Sequence, residues 1–415
     1  MQITEDNIED IKSRLQRLAE FCGLEDEKEE WLELNEEGDD CINLDFPGDN
    51  DTSQFDITDF IECTNNLHNL TQEGDYTVRC GCLSQTNIEI TYNPESEYDL
   101  FSEKYETEFF EAYLVQSPLL IAIRNIKEDC YDSDFWSPCS AYTAIEFKYK
   151  SENRILPLKE ENKEIQRFLF MLTVKADSPI TIQKLIKNNS TYLDEEVLDF
   201  ENIDNTANDC KFIISKSEDL PTYNPMLGLY VDAQTLNNED LKFLMFYKII
   251  EYISPSISKK QAYEMLSKKL DMNILKTRDC RFYDSIIDIV RHFDNSIRDN
   301  ELAESVLIEC CDILSLSDSI PTSIKKQLSK ECQIRNDIEW TYKNIPDSQI
   351  FHLKKRMSEY LTATRNNIVH AKSNYTPTGK ECPESEMEVM NSFMQQLCYA
   401  IIMWNNRQSD EMKLK

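Results

Sequence analysis

Apolar residues recur at helical spacing from the first turn of the chain. Ile8, Ile11, Leu15, Leu18, Phe21 and Cys22 share one face, so residues 4–35 read as a helix or helical pair with Thr4 as its cap. Residues 25–62 are dense in Asp and Glu, and 1–73 as a whole predicts an acidic segment of helix and loop. From about residue 74 the period changes. Runs at 76–82, 87–92, 113–124, 142–149, 168–175 and 211–215 are β-branched or aromatic and bounded by turn residues, as strands are. The stretch 141–149 alternates as a strand with one wet face does. Ser178 and Pro179 mark a turn into a short helix over 181–187. Residues 74–232 thus predict an α+β domain with a mostly antiparallel sheet.

A second change falls at residues 220–238, where Pro221, Pro225 and Gly228 mark a domain junction. Beyond it the period is helical to the end, and 235–410 predicts an all-α bundle. Its expected helices are 239–253, 257–270, 279–294, 298–315, 322–343, 348–371 and 384–406, with Pro255, Pro321, Pro346, Pro377 and Pro383 in or beside the gaps. Phe243, Leu244, Phe246, Tyr247, Ile250 and Ile253 form a stripe too broad for a surface helix, so 239–253 is expected at the bundle centre. Glu251 on that helix reads as a solvated residue or as a partner that orients Arg365, and the solvated reading is preferred. Phe393, Met394, Leu397, Ile401, Ile402 and Trp404 make the last helix apolar enough to cover the bundle or to pair with a second copy.

Composition narrows the functions. A net charge of −33 repels nucleic acid at long range and argues against a general RNA- or DNA-binding protein. Seven glycines argue against glycine-rich phosphate loops. Fourteen cysteines behind a polar, acidic N-terminus predict reduced thiols in a cytoplasmic protein, and no run approaches eighteen apolar residues. Two metal readings lose to blander ones. The run 45–51 carries the oxygen ligands calcium favours but not an EF-hand's spacing, and reads as a solvated acidic loop. Cys63, His68, Cys80 and Cys82 match no common zinc spacing, and the cysteines read as buried thiols.

One stretch carries chemistry. Within 363–371 stands Arg365-Asn366, followed by His370. Arginine holds its charge at any cellular pH and grips phosphate as a planar fork. Histidine exchanges protons near neutrality, and asparagine can orient either neighbour. These are sufficient parts for cutting RNA without a metal: a base for the ribose 2′-hydroxyl and a cation for the crowded phosphate. Leu361, Ile368 and Val369 can anchor the segment, and Asn366 and His370, four apart, share a helix face. Arg365 and His370, five apart, diverge by about 140° on an ideal helix. The motif therefore begins in a non-helical turn, or a second copy completes the site. Between Pro346 and Lys380 six basic residues (Lys354, Lys355, Arg356, Arg365, Lys372, Lys380) face only Asp347 and Glu359, a local net charge of +4.

At these residues the chain resembles the HEPN superfamily, whose nucleases carry Arg, often a polar residue next, then His four to six residues on. The segment 241–253 is similar to the opening helix of HEPN-type domains in bacterial proteins, and the resemblance spans about 235–405. It implies a metal-independent endoribonuclease without cofactor, leaving a 2′,3′-cyclic phosphate and a 5′-hydroxyl. His370 would transfer the proton, Arg365 hold the phosphate and Asn366 fix the geometry, with Lys354, Arg356 and Lys372 tracking the RNA backbone. It also implies a homodimer through the helical domain, the two motifs facing one cleft, and a toxin-like effector of phage defence or abortive infection. HEPN toxins paired with nucleotidyltransferase antitoxins often carry a tyrosine two residues after the histidine; here Lys372 stands there and Tyr375 is nearest, so silencing by nucleotide transfer to that tyrosine is not expected. The N-terminal half would be a sensor or brake that meets a regulatory protein or a phage-derived trigger. The other reading is an inactive HEPN bundle used for dimerisation, whose acidic N-terminal domain binds a basic partner; the charge of −33 favours it.

Overall fold

The computed structural model describes residues 7–24, 41–46, 53–91, 100–131, 137–176, 178–186, 220–271, 280–294, 299–335, 338–370 and 376–414. The expected strand at 211–215 and most of the oxygen-rich loop at 45–51 lie outside them. The chain forms two compact units, Met1–Thr206 and Ala207–Lys415. An α+β unit with an antiparallel sheet precedes a helical one.

In the first unit, α1 (Ile8–Cys22) buries Ile11, Leu15, Leu18 and Ala19 and stops at Gly23, whose φ of 75° favours glycine. β1 (Cys41–Leu44) and β2 (Ser53–Asp56) form a two-stranded antiparallel ladder inside the acidic stretch, too short for sequence periodicity to reveal. Asp56 then caps α2 (Ile57–Asn65) by accepting from the N–H groups of Thr58 and Asp59. The main sheet holds β3 (Thr71–Glu73), β4 (Thr77–Cys80), β5 (Leu83–Ile90), β6 (Lys104–Glu106), β7 (Phe110–Gln116), β8 (Thr143–Tyr149) and β9 (Ile180–Ile182). Its order is β3-β4-β5-β8-β7-β6, with β9 paired to the far end of β5. All pairs are antiparallel. Residues of α1, α2 and the sheet share one core, so the described elements before residue 73 pack with the strands that follow them. Cys63 and Cys80 belong to that core, and the Cys80 thiol donates to the Cys63 carbonyl at 3.4 Å.

Three expectations here are corrected. The run 113–124 is a strand only to Gln116; after Ser117 it becomes α3 (Leu119–Lys127). Leu119 to Ile126 are all buried, so this helix has no polar face to betray its period. The run 168–175 is the end of α4 (Leu158–Ala176), not a strand. Buried Ile165, Phe168, Leu169, Leu172 and Ala176 show the helical period, which the last two turns alone do not. The expected short helix at 181–187 begins instead as β9, completing the sheet beside β5.

The sheet carries buried carboxylates on both faces. Glu161 of α4, fully buried, accepts from Ser84 at 2.7 Å and from Tyr149, and pairs with Arg79 at 2.9 Å. Glu146 accepts from Tyr113 at 2.6 Å and from Gln85 at 2.5 Å, while the Gln85 carbonyl oxygen accepts from Leu120 N–H at the start of α3. Burial, then the nearby negative charge of Asp59, pushes the Glu146 carboxyl from 4.5 up to about 7; the paired Lys148 opposes this. A carboxyl raised on folding stabilises most fully below pH 4.5, and that contribution is lost as pH rises through about 7. The shift corresponds to roughly 3 kcal/mol. Glu146→Gln should therefore flatten the stability decline of the first unit between about pH 5 and 8, measured by urea unfolding; slopes equal to the parent's would contradict this assignment.

The second unit holds α5 (Pro225–Gln234), α6 (Glu239–Asp271), α7 (Cys280–Asp294), α8 (Asp299–Cys310), α9 (Thr322–Glu331), α10 (Asp347–His370) and α11 (Met387–Asn406). The stretch expected as a junction contains α5, capped by Asn224 with Pro225 at its first position and Met226, Leu227 and Tyr230 buried. Pro255 does not divide 239–253 from 257–270: α6 runs through it for 33 residues. Proline forfeits one backbone hydrogen bond there, but Ile250, Ile253 and Ile257 stay buried on both sides of it. The Ser254 hydroxyl turns back onto the Ile250 carbonyl at 2.5 Å. The expected helix 322–343 ends at Glu331, because Gln333 takes a left-handed φ of 55° and Ile334 N–H bonds back to the Ser329 carbonyl at 2.7 Å. No glycine advertises that stop. The helix expected over 298–315 ends at Cys310, followed by turns. In α11, Phe393, Met394, Leu397, Ile401, Ile402 and Trp404 are buried within this unit, which settles their role as cover for the bundle. Among the described residues, no helix is long and apolar enough to cross a membrane.

Candidate functional site

The site begins with the meeting of α6 and α10. Phe243, Phe246, Ile250 and Ile253 bury one side of α6; Leu353, Met357, Tyr360 and Leu361 bury one side of α10. Tyr247 and Thr362 exchange a hydroxyl–hydroxyl hydrogen bond at 3.3 Å, which fixes the register of the two helices. About one turn further along each, Arg365 Nη2 reaches Glu251 Oε1 at 3.2 Å. Arg365 Nη1 donates to Asn366 Oδ1 at 3.1 Å, and the guanidinium lies 5.9 Å from the Tyr247 ring centroid. A carboxylate, an amide and an aromatic face thus orient one fork, whose side chain stays 24% exposed.

The expectation for Glu251 is corrected. It is partly solvated, with 44% of its side chain exposed, yet it is the ion-pair partner of Arg365 across 114 residues of sequence. Tyr247, four residues earlier on α6, was missed as a member of this group. The spacing of Tyr247 and Glu251 on one helix face is visible in the sequence, but the partner helix and its register are not.

Arg365 to His370 is continuous helix, so the motif does not begin in a non-helical turn. The backbone therefore sends Arg365 and His370 in directions about 140° apart, while Asn366 lies one turn before His370 on its face. His370 and Val369 are exposed at the end of α10.

The five described cations of the basic window all have partners within this unit. Lys354 Nζ donates to the Ile308 carbonyl at 3.2 Å, in the last turn of α8, where a cation complements the helix end. Arg356 pairs with Glu359 at 2.9 Å and with Glu331 at 3.6 Å. Lys380 shares Glu359, and Lys355 faces Glu304 at 3.4 Å. Arg356 stands nine residues before Arg365, about half a turn away around α10. Lys354 and Arg356, expected to track RNA beside Arg365, thus stand with partners of their own within the unit. Lys372 and Tyr375 lie outside the described residues.

Compared with known proteins, the chain matches no family model, no curated protein and no solved structure.

Of the zinc candidates, Cys63 and Cys80 lie together in the core, while Cys82 follows a tight turn at Gly81 with its N–H donated to Glu62 at 2.9 Å. Among the described residues, no three His, Cys, Asp or Glu side chains gather as a metal site. The thirteen described cysteines are thiols, none of them paired with another in a disulfide among the described residues.

Proposed function

We propose that the chain is a metal-independent endoribonuclease of HEPN type. The observation that carries this is Arg365, held at the end of α10 by Glu251 and Asn366, with His370 exposed on the same helix end. In the proposed reaction His370 takes the proton from a ribose 2′-hydroxyl, and the oxygen attacks the adjacent phosphorus. Arg365 stabilises the charge that gathers on the phosphate oxygens, and Asn366 keeps the guanidinium in plane with it. The 5′-oxygen takes a proton back from the His370 imidazolium as its bond to phosphorus breaks and leaves as a hydroxyl, and a 2′,3′-cyclic phosphate remains. No metal or cofactor is part of this scheme.

The divergence of Arg365 and His370 on a continuous helix supports a homodimer, in which the two motifs face one cleft and each copy completes the other's site. Light scattering of the purified chain should give twice the mass of 48.7 kDa at micromolar concentration. A monomer that nevertheless cuts RNA would rule out the shared cleft. The first unit is the regulatory half in this reading, a brake or sensor for a protein or phage-derived trigger, and the cytoplasm is the setting. An effector of phage defence fits such an arrangement.

A second reading keeps the helical unit as an inactive dimerisation bundle, with the acidic first unit binding a basic partner. The neutralised window around Lys354, Arg356 and Lys380 favours it. Incubating the full chain with labelled single-stranded RNA in EDTA separates the two: cleavage supports the nuclease, and intact RNA at every protein concentration and with every trigger tried supports the inactive bundle.

A further inference from the structure

Most basic side chains of the second unit that flank the motif are committed to partners, yet α6 carries lysines that form no ion pair among the described residues, and two of these stand one turn before an exposed tyrosine. Lys248 and Lys259 are exposed and form no ion pair among the described residues. Lys260, by contrast, is bound to Glu309 at 2.9 Å. Each free lysine is followed four residues later by an exposed tyrosine: Tyr252, 37% exposed, and Tyr263, 51% exposed. Eleven residues separate Lys248 from Lys259 and Tyr252 from Tyr263. On an α-helix eleven residues return to within about 20° of the same line after about 16 Å. The four side chains therefore form one outward stripe, Lys-Tyr then Lys-Tyr, with Pro255 between the pairs. The nearest carboxylates stand off that line and are engaged elsewhere: Glu251 with Arg365, and Glu264 with Lys260 at 3.9 Å. The stripe passes beside Glu251, so its first Lys-Tyr pair borders the group that holds Arg365. Lys259 lies 5.6 Å from the Tyr263 ring centroid, so the second pair presents a cation and an aromatic face together.

Aromatic faces alternating with cations in a chain of net charge −33 fit a ligand that offers both bare bases and phosphates. We infer that the exposed face of α6 is a track for single-stranded RNA, in which Tyr252 and Tyr263 stack bases while Lys248 and Lys259 contact phosphates, feeding the strand to Arg365. This rests on the reading of that site as a ribonuclease and names its substrate as unpaired RNA. A spacing of about 16 Å spans four or five stacked nucleotides at about 3.4 Å each. A duplex hides its base faces and gains nothing from the tyrosines. Because the rest of the surface repels RNA, the track should act at short range and weaken steeply with salt.

The test uses the full chain carrying His370→Ala, so that RNA is bound and not cut, with a fluorescent twelve-nucleotide single strand and anisotropy read across a salt series. Tyr252→Ala with Tyr263→Ala should weaken binding by about tenfold or more, and leave binding of the matching duplex unchanged. Lys248→Gln with Lys259→Gln should lower the slope of log affinity against log salt by about 1.4. All four side chains point outward, so circular dichroism and thermal unfolding should match the parent. A parent that binds no RNA, or double variants that keep its affinity and salt slope, would overturn the track. Cleavage by the His370 protein is scored separately with a dinucleotide, too short to reach the stripe. If the dinucleotide is cut and both double variants cut the twelve-mer at unchanged KM, the track alone is wrong. If nothing is cut while binding follows the expected pattern, the ribonuclease reading falls and the track stands.

Discussion

Replacing His370 with alanine should lower the rate of single-stranded RNA cleavage by about 10²–10⁴-fold, the range that a positioned proton-transfer residue supplies. The effect should fall on kcat, since the imidazole acts on the 2′-hydroxyl and contributes little to holding the strand. Folding should be unaffected. His370 is exposed at the last position of α10, and what anchors that helix is Leu353, Met357, Tyr360 and Leu361, all buried about two and a half to five turns earlier. A His370→Ala chain that unfolds at the parent's temperature yet has lost activity would place the loss in chemistry. One that retains more than a tenth of the parent's kcat would show that the proton goes elsewhere.

Arg365→Lys should be nearly as damaging, with a loss of about 10²-fold or more in kcat/KM, although it preserves the charge. The guanidinium reaches Glu251 through Nη2 and Asn366 through Nη1, two directions fixed by one planar group. An ammonium has no such fork and would settle on Glu251 as a point charge. Glu251→Gln leaves an oxygen for Nη2 but removes the charge-assisted bond, for an expected loss of about tenfold. The order of effects separates the roles, and steady-state kinetics on one short RNA reads all of it. Arg365→Lys with parental kcat/KM would mean that charge alone suffices. Glu251→Gln as severe as Arg365→Lys would mean that the carboxylate takes part in the reaction itself.

How far the sequence carries can be judged from particular elements. The change from strand to helix period near Pro225 was legible, because strands such as β8 alternate and helices such as α11 keep a broad apolar stripe. α3 and the end of α4 were misread as strands for one reason: a stretch buried on all sides, or seen through too short a window, has no period to read. α6 shows the reverse, since Pro255 signals a break that buried isoleucines on both sides override. At the site, Arg365, Asn366 and His370 could be singled out by residue chemistry and their helical register by spacing. The role of Glu251 could be named as one of two readings but not chosen, because it depends on Tyr247 meeting Thr362 across 115 residues. The same blindness made the window from Pro346 to Lys380 look basic. Glu251, Glu304 and Glu331 arrive from other helices and cancel charges that a one-dimensional count leaves standing.

The central claim is the chemistry of the cut, and the ends of the RNA report it. A 5′-labelled single strand incubated with the full chain in EDTA should yield fragments ending in 2′,3′-cyclic phosphate, their partners beginning with a 5′-hydroxyl, and neither should form with His370→Ala or Arg365→Lys. Fragments with 3′-hydroxyl ends, a requirement for magnesium, or cleavage that persists in both variants would contradict it.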